Sequence, residues 1–525
     1  MKRKIAVIGI LLLILLPTIL QAGSFGKDDP SGTPGEWYLG TSPSFVTPSN
    51  HPVLFVHGLN SSSKTWWDEN DMYDTAHQNG FETAFVDLFP TSDMWVNGDL
   101  LANKIQEMYN YFGEKIVVVA HSKGGIDTQS AIVHYGASAY VEKVITLSTP
   151  HHGSQLADLA YSSWAGWLTS ILGSKNDATY SLQTGYMEYF RSMTDTQSAV
   201  KHVPFYTFGG TERGSFGSSL YWGGLYLSSY GSNDGAVTVD SSRLAYATEL
   251  GIGEWDHSTI KEGNSTFDLF NDYLTTSSYA KTASSSISNN RNPKENYKHK
   301  QQVSTNEATS TIVRGGEIKG EYSDSFYLEE GVDEITIDWI SDSKTENLIL
   351  TNRNNEKYKE FHVKTDSTSY FNGSYHHAIT IPKPIAGKWI LDSDSNNATR
   401  YLLHVSIDSP LNSQLQLDLS TKNDVNLKSV QKDLHLKTDT MIEHYKNGKL
   451  KTSKIKLNNK TAKTAKTAKT AKTAKTAKTA SYKLPQLGEG VYNITINVTG
   501  KSDKEKFDRT IIKSVYVDKN GALHF

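Results

Sequence analysis

Ile116-Val117-Val118-Val119-Ala120 runs directly into His121-Ser122-Lys123-Gly124-Gly125, and this junction constrains the fold more than any other stretch. Four β-branched residues in succession mark a buried strand, and the pattern from Lys123 to about Tyr135 marks a helix. The chain must therefore turn sharply from strand to helix with a serine at the turn. Ala120 and Gly124, two residues to either side, are small, as a nucleophile on a strained turn requires, because no room remains there for side chains. The helix N-terminus that follows favours negative charge beside the hydroxyl. The usual form of such an elbow has glycine at the first small position; here Ala120 stands in.

The same alternation continues on both sides. Pro52–Val56 and Thr83–Asp87 read as strands, Asn97–Phe112 as an amphipathic helix (Leu100, Leu101, Ile105, Met108, Tyr109 and Phe112 recur at helical spacing), and Lys143–Leu147 as a further strand. Residues 23–274 are thus predicted to form an α/β domain with a doubly wound, mostly parallel sheet. From 275 to 310 the composition turns to Ser, Thr, Asn and Lys, which predicts a solvated, disordered linker. Beyond it come short alternating runs, Glu334–Trp339, Tyr401–Val405 and Val491–Val498. They predict two β-sandwich accessory domains, at 311–409 and at 411–525, the second Ig-like. Inside the second lies a Thr-Ala-Lys repeat, 461–480. It reads as a disordered cationic loop between strands; the alternative is a tether to an anionic cell-surface polymer.

A serine hydroxyl needs a base and an orienting acid, and acyl transfer needs donors for the oxyanion. In this architecture the order along the chain is Ser, acid, His. Asp234, in Asn233-Asp234-Gly235-Ala236-Val237 after the strand Val203–Phe208, and His257, in Trp255-Asp256-His257-Ser258, stand in that order and in loops. His134, His151, His152 and His202 are rival bases, and Asp127, Asp240 and Asp256 rival acids. His57-Gly58-Leu59-Asn60 ends an earlier strand, so the backbone N–H groups of Leu59 and Lys123 are the candidate oxyanion hole.

Residues 52–262 resemble the bacterial triacylglycerol lipases of the α/β-hydrolase superfamily, both the Pseudomonas and Burkholderia lipases and the Bacillus lipases. The resemblance rests on the His57-Gly58-Leu59 loop, the Ala120–Gly125 elbow, Ser148-Thr149-Pro150-His151-His152-Gly153-Ser154, Asn233–Val237 and Asp256-His257. The alanine at the elbow is similar to the Bacillus branch. The resemblance implies Ser122 as nucleophile, Asp234 as acid, His257 as base, Leu59 and Lys123 as oxyanion donors, and no cofactor in the chemistry. The Pseudomonas-like branch holds a structural calcium through an Asp two positions after the histidine; Thr259 stands there in this chain. The implied substrate is a lipid or other ester. Short-chain carboxylesterase, phospholipase and polyester depolymerase are the alternatives, with a surface-binding protein as the non-enzymatic one. Leu156, Leu159, Trp164, Trp167, Leu168, Ile171 and Leu172 form an apolar pattern after Pro150, read either as a lid that docks on a lipid interface or as a core helix.

The first residues complete the expectation. Met1-Lys2-Arg3-Lys4, the apolar run Ile5–Leu16 and the small residues before Gly23 predict a cleavable export signal, 1–22, and a secreted, extracellular protein; an uncleaved anchor is the alternative. With no cysteine in the chain, disulfides, thiolate metal sites and a cysteine nucleophile are excluded. Fifty-three basic against 56 acidic residues give no global pull toward nucleic acid.

Overall fold

The computed structural model describes residues 32–165, 175–276, 310–366, 373–420, 424–429, 434–457, 460–461, 479–502 and 505–525. The expected export signal, 1–22, nearly all of the 275–310 segment, the body of the Thr-Ala-Lys repeat, and Trp167, Leu168, Ile171 and Leu172 of the apolar pattern lie outside them.

The N-terminal half is built on a seven-stranded sheet in the order β1-β3-β2-β4-β5-β6-β7. Its strands are β1 (Trp37–Leu39), β2 (Val53–Val56), β3 (Thr83–Val86), β4 (Ile116–His121), β5 (Val141–Leu147), β6 (Phe205–Gly210) and β7 (Thr248–Gly253). Only β1 runs antiparallel to its neighbour; β2 to β7 are parallel. Because side chains alternate across a strand and both faces are covered, β2 and the Ile116–Ala120 run of β4 are apolar throughout rather than at every second position. Leu54, Val56, Val118 and Ala120 face a core closed by Leu101, Ile105 and Met108 of helix Met94–Phe112 and by Ala131 and Ile132 of helix Lys123–His134. Val53, Phe55, Val117 and Val119 face the other core, closed by Met72, Tyr73 and Ala76 of helix Met72–Gln78 and by Phe267 and Phe270 of helix Gly263–Phe270. Each large apolar side chain so buried contributes roughly 1.5–3 kcal/mol, so each face of the sheet is anchored by its own core. Helix Met94–Phe112 starts three residues before the apolar periodicity does. Asp93 caps it, accepting from the N–H groups of Trp95 and Val96, and Gly113 closes it in the left-handed conformation.

The C-terminal half is antiparallel and curled. In its first sheet the 22-residue strand Gly387–Asp408 pairs along its length with Thr311–Leu328, with a break in register between Ser395 and Thr399. Such a bulge bends a strand and raises its twist, and the sheet closes over Trp339, Trp389, Leu391, Tyr401 and Leu403. A five-stranded sheet, Lys449–Leu457, His435–Lys446, Gly490–Ser502, Glu505–Val517 and Leu523–His524, and a smaller four-stranded one share a second core around Ile494, Ile496, Phe507 and Ile511. Thr461 and Ala480, the two ends of the Thr-Ala-Lys repeat, are partners in adjacent strands of the smaller sheet.

The two halves meet over the segment between β5 and β7. Leu159, Trp222, Tyr226 and Leu227 pack with Val313, Ile340, Leu402 and Ile512, and Tyr161 and Tyr180 with Tyr445, Val491 and Tyr516. Trp164, from the apolar pattern read as a lid or a core helix, donates its indole N–H to Asn497 at 3.2 Å. Its described part therefore faces the C-terminal half.

Candidate active site

Ser122 follows the last residue of β4 in a conformation that an L-residue rarely adopts, φ 53° and ψ −133°. Strain of this kind costs on the order of 1–3 kcal/mol and persists only where the surroundings impose it. Two close approaches impose it here. A Cβ on Gly124 would lie 2.3 Å from the carbonyl oxygen of His57, and one on Gly58 would lie 2.7 Å from the Cβ of Ser122. Glycine at both positions lets the β2 loop and the elbow close on one another, and β2 and β4 are paired neighbours.

The three residues singled out as a triad converge. Ser122 Oγ lies 3.1 Å from His257 Nε2, and His257 Nδ1 lies 2.7 Å from Asp234 Oδ2. A carboxylate only accepts, so Nδ1 carries the proton and Nε2 presents its lone pair to the serine. Asp234 is held by its own turn: Oδ1 accepts from the N–H groups of Ala236 and Val237 at 2.9 and 2.7 Å. The N–H of His257 donates to the carbonyl oxygen of Asp234 at 2.9 Å. All three side chains are buried, Asp234 completely and Ser122 at 6% exposure. This constellation can take a proton from a hydroxyl, deliver that oxygen to a carbonyl and return the proton to a leaving group.

The rival groups are engaged elsewhere. His152 pairs with Glu188, His134 with Thr194, Asp127 with Lys123, and Asp240 with Arg243. His151 is fully buried, with Nε2 beside Thr146 Oγ1, and burial holds its pKa well below the usual imidazole range. His202 precedes β6 and so lies at the opposite end of that strand from the Asp234 turn. Asp256 caps the following turn, accepting from the N–H groups of Ser258 and Thr259. Thr259, where the Pseudomonas-like branch has its calcium-binding Asp, donates its N–H to that carboxylate and its hydroxyl accepts from the Asp256 N–H. These residues do not fit a calcium ion.

The His57–Asn60 loop has a support that the sequence motif did not reveal. His57 Nε2 accepts from the N–H of Leu88 at 2.9 Å, which leaves Nδ1 to donate to the carbonyl oxygen of Gly58, also at 2.9 Å. In a trans peptide the C=O and the N–H point opposite ways. Fixing the Gly58 oxygen therefore fixes the direction of the Leu59 N–H, beside Ser122. Burial holds His57 below the ordinary imidazole pKa, so it stays a neutral hydrogen-bonding strut. The signal available in the sequence was its position, one residue before the close-approach glycine.

A mostly parallel sheet wound on both sides, with a serine on an elbow after the central strand and Asp234 and His257 on the loops after β6 and β7, defines an α/β hydrolase. Residues 96–165 match the PGAP1-like alpha/beta domain. A lipase from Bacillus licheniformis, BlEst2 in its propeptide form, is 39% identical, covering 94% of this chain and 100% of its own, with a TM-score of 0.78. The same lipase in its mature form is 55% identical over 46% of this chain and 100% of its own, with a TM-score of 0.45. Triacylglycerol lipase 2 of Saccharomyces cerevisiae is 31% identical over 137 residues, 24% of this chain and 40% of the yeast enzyme; the chain thus spans less than half the length of that relative. The chain belongs to the lipase and esterase family of the α/β hydrolases, that of the B. licheniformis enzyme.

Proposed function

We propose that this chain is a secreted serine carboxylic-ester hydrolase acting on acyl-lipid esters, triacylglycerols foremost. The observation that carries the reading is the continuous path from Ser122 through His257 to Asp234, 3.1 and then 2.7 Å, on a strained elbow. His257 Nε2 accepts the Ser122 proton as Oγ bonds to the ester carbonyl carbon. The carbonyl oxygen, now an oxyanion, is received by the N–H groups of Leu59 and Lys123. Collapse expels the alcohol, which takes the proton from His257 and leaves an acyl-Ser122 ester. Water then repeats the sequence, giving up a proton to His257 and releasing the carboxylic acid. Asp234 keeps the proton on Nδ1 and offsets the positive charge that His257 carries in between.

Hydrolysis rates over p-nitrophenyl esters from C2 to C16 and over emulsified triglyceride test this. Ser122→Ala is expected to lose on the order of 10⁴ to 10⁶ in turnover. A wild-type protein inert to every ester, or a Ser122→Ala variant as active as wild type, would overturn it.

We also propose that the C-terminal half is a pro-region. The B. licheniformis lipase that covers 94% of this chain is in its propeptide form, and the C-terminal sheets cover apolar side chains of the segment between β5 and β7. Limited proteolysis after Thr276 should then raise kcat/KM on long-chain esters. An unchanged kcat/KM after complete cleavage would refute the pro-region.

A further inference from the structure

The backbone of His257 is gripped from two sides. Its N–H donates to the Asp234 carbonyl at 2.9 Å, and its own carbonyl oxygen lies 2.8 Å from His121 Nε2. A carbonyl only accepts, so His121 carries its proton on Nε2. The His121 ring also lies against the His257 ring, centroids 4.7 Å apart and planes at 47°. His121 is the last residue of β4 and is covalently joined to Ser122. The shortest path from nucleophile to base outside their own contact is therefore one peptide bond, one imidazole and one hydrogen bond.

We propose that His121 is a positioning residue for the catalytic base, tying the main chain of His257 to the strand that presents Ser122. The inference rests on the assignment of Ser122 and His257 as nucleophile and base. Three charged or titratable groups face His121: His257 and Lys261 from the segment after β7, and His57 from the loop after β2. Burial first, and then the positive charges of His257 and Lys261, hold its pKa well below the usual imidazole range. It therefore stays neutral while His257 takes up a proton, so the ring in contact with the base adds no second positive charge. Asp234 orients the His257 ring, and His121 sets where that ring starts from. The two tasks are separable because they act on different atoms of one residue.

The test is steady-state hydrolysis of p-nitrophenyl butyrate by the full chain carrying His121→Phe, His121→Gln or, as a reference, Ser122→Ala. Phe keeps a ring against His257 but has no donor. Gln has a side-chain N–H at nearly the same reach as imidazole Nε2. A displacement of about 1 Å in a catalytic group costs on the order of 10²-fold, so His121→Phe should lose at least about tenfold in kcat, with KM changed by less than about threefold. His121→Gln should recover most of that loss, which a purely packing role would not allow. Where the Phe variant does not fold, His121→Ala, which opens space instead of filling it, carries the same expectation. The proposal is overturned if the folded donor-less variant keeps kcat within about threefold of wild type, if its loss lies in KM alone, or if Gln is no better than Phe. A Ser122→Ala reference that remains active would instead sink the serine mechanism, so the two failures are distinguishable.

Discussion

Lys123 and Asp127 show how single residues beside the nucleophile are held. Lys123 Nζ lies 2.6 and 2.8 Å from the two oxygens of Asp127, and Asn97 donates to the same carboxylate at 3.0 Å. Both charges are almost completely buried. Burial raises the Asp127 pKa, and Lys123 and Asn97 only partly offset it, as expected where desolvation rivals attraction. Lys123→Met should therefore destabilise the protein by about 3–5 kcal/mol, because the buried Asp127 carboxyl loses its opposite charge, while Lys123→Met with Asp127→Leu should recover most of it. Urea denaturation checks this, and a single variant within about 1 kcal/mol of wild type would contradict it. At this scale much was legible. The convergence of Ser122, Asp234 and His257 could be anticipated because the expected chemistry asks for a fixed order of residue types in loops after strands. The supporting roles of His57 and His121 could not, since they depend on which main-chain oxygen each ring meets across the fold.

In the sheets, the apolar runs of β2, β4 and β5 announced buried parallel strands, and the structure places them so. The start of helix Met94–Phe112 was missed because periodicity records only the buried face, whereas the cap at Asp93 sets the first turn. Which accessory strands pair could not be read either, since alternation gives the face of a strand and not its partner. One such pairing carries a pH dependence. His376, on strand Tyr375–Pro382, has Nδ1 2.8 Å from Asp338, on the paired strand Glu334–Ser341, and Nε2 3.3 Å from Asp366. Burial opposes its charge most strongly, yet the two carboxylates more than compensate, and its pKa is raised to about 9. A raised folded pKa contributes stability that is complete below the unfolded value of about 6.5 and is lost as pH rises through about 9, here roughly 3 kcal/mol. Thermal unfolding between about pH 6 and about pH 10 should show that decline in wild type and little of it in His376→Asn. Parallel curves for the two proteins would exclude it.

For the whole molecule, the covered segment between β5 and β7 is the feature that no single stretch of sequence announced. Leu159, Trp222, Tyr161 and Tyr180 are buried, but the cores they enter are shared with strands of the C-terminal half. All five site residues, Leu59, Ser122, Lys123, Asp234 and His257, belong to the N-terminal half, whose two cores are its own. A chain ending at Thr276 should therefore fold and hydrolyse a soluble short-chain ester. Its newly exposed aromatic surface should bind an apolar dye far more strongly than the full chain does. A folded but inactive product would show that the C-terminal half contributes to the site. The central claim, that the fold makes Ser122 a nucleophile through His257, is tested most directly by covalent capture. The chain is treated with a fluorophosphonate, and the adduct is located by mass spectrometry of the digested protein. The account predicts one phosphonylated residue, Ser122, and no adduct in Ser122→Ala or His257→Ala. An adduct on another serine, or undiminished labelling of Ser122 in His257→Ala, would contradict it.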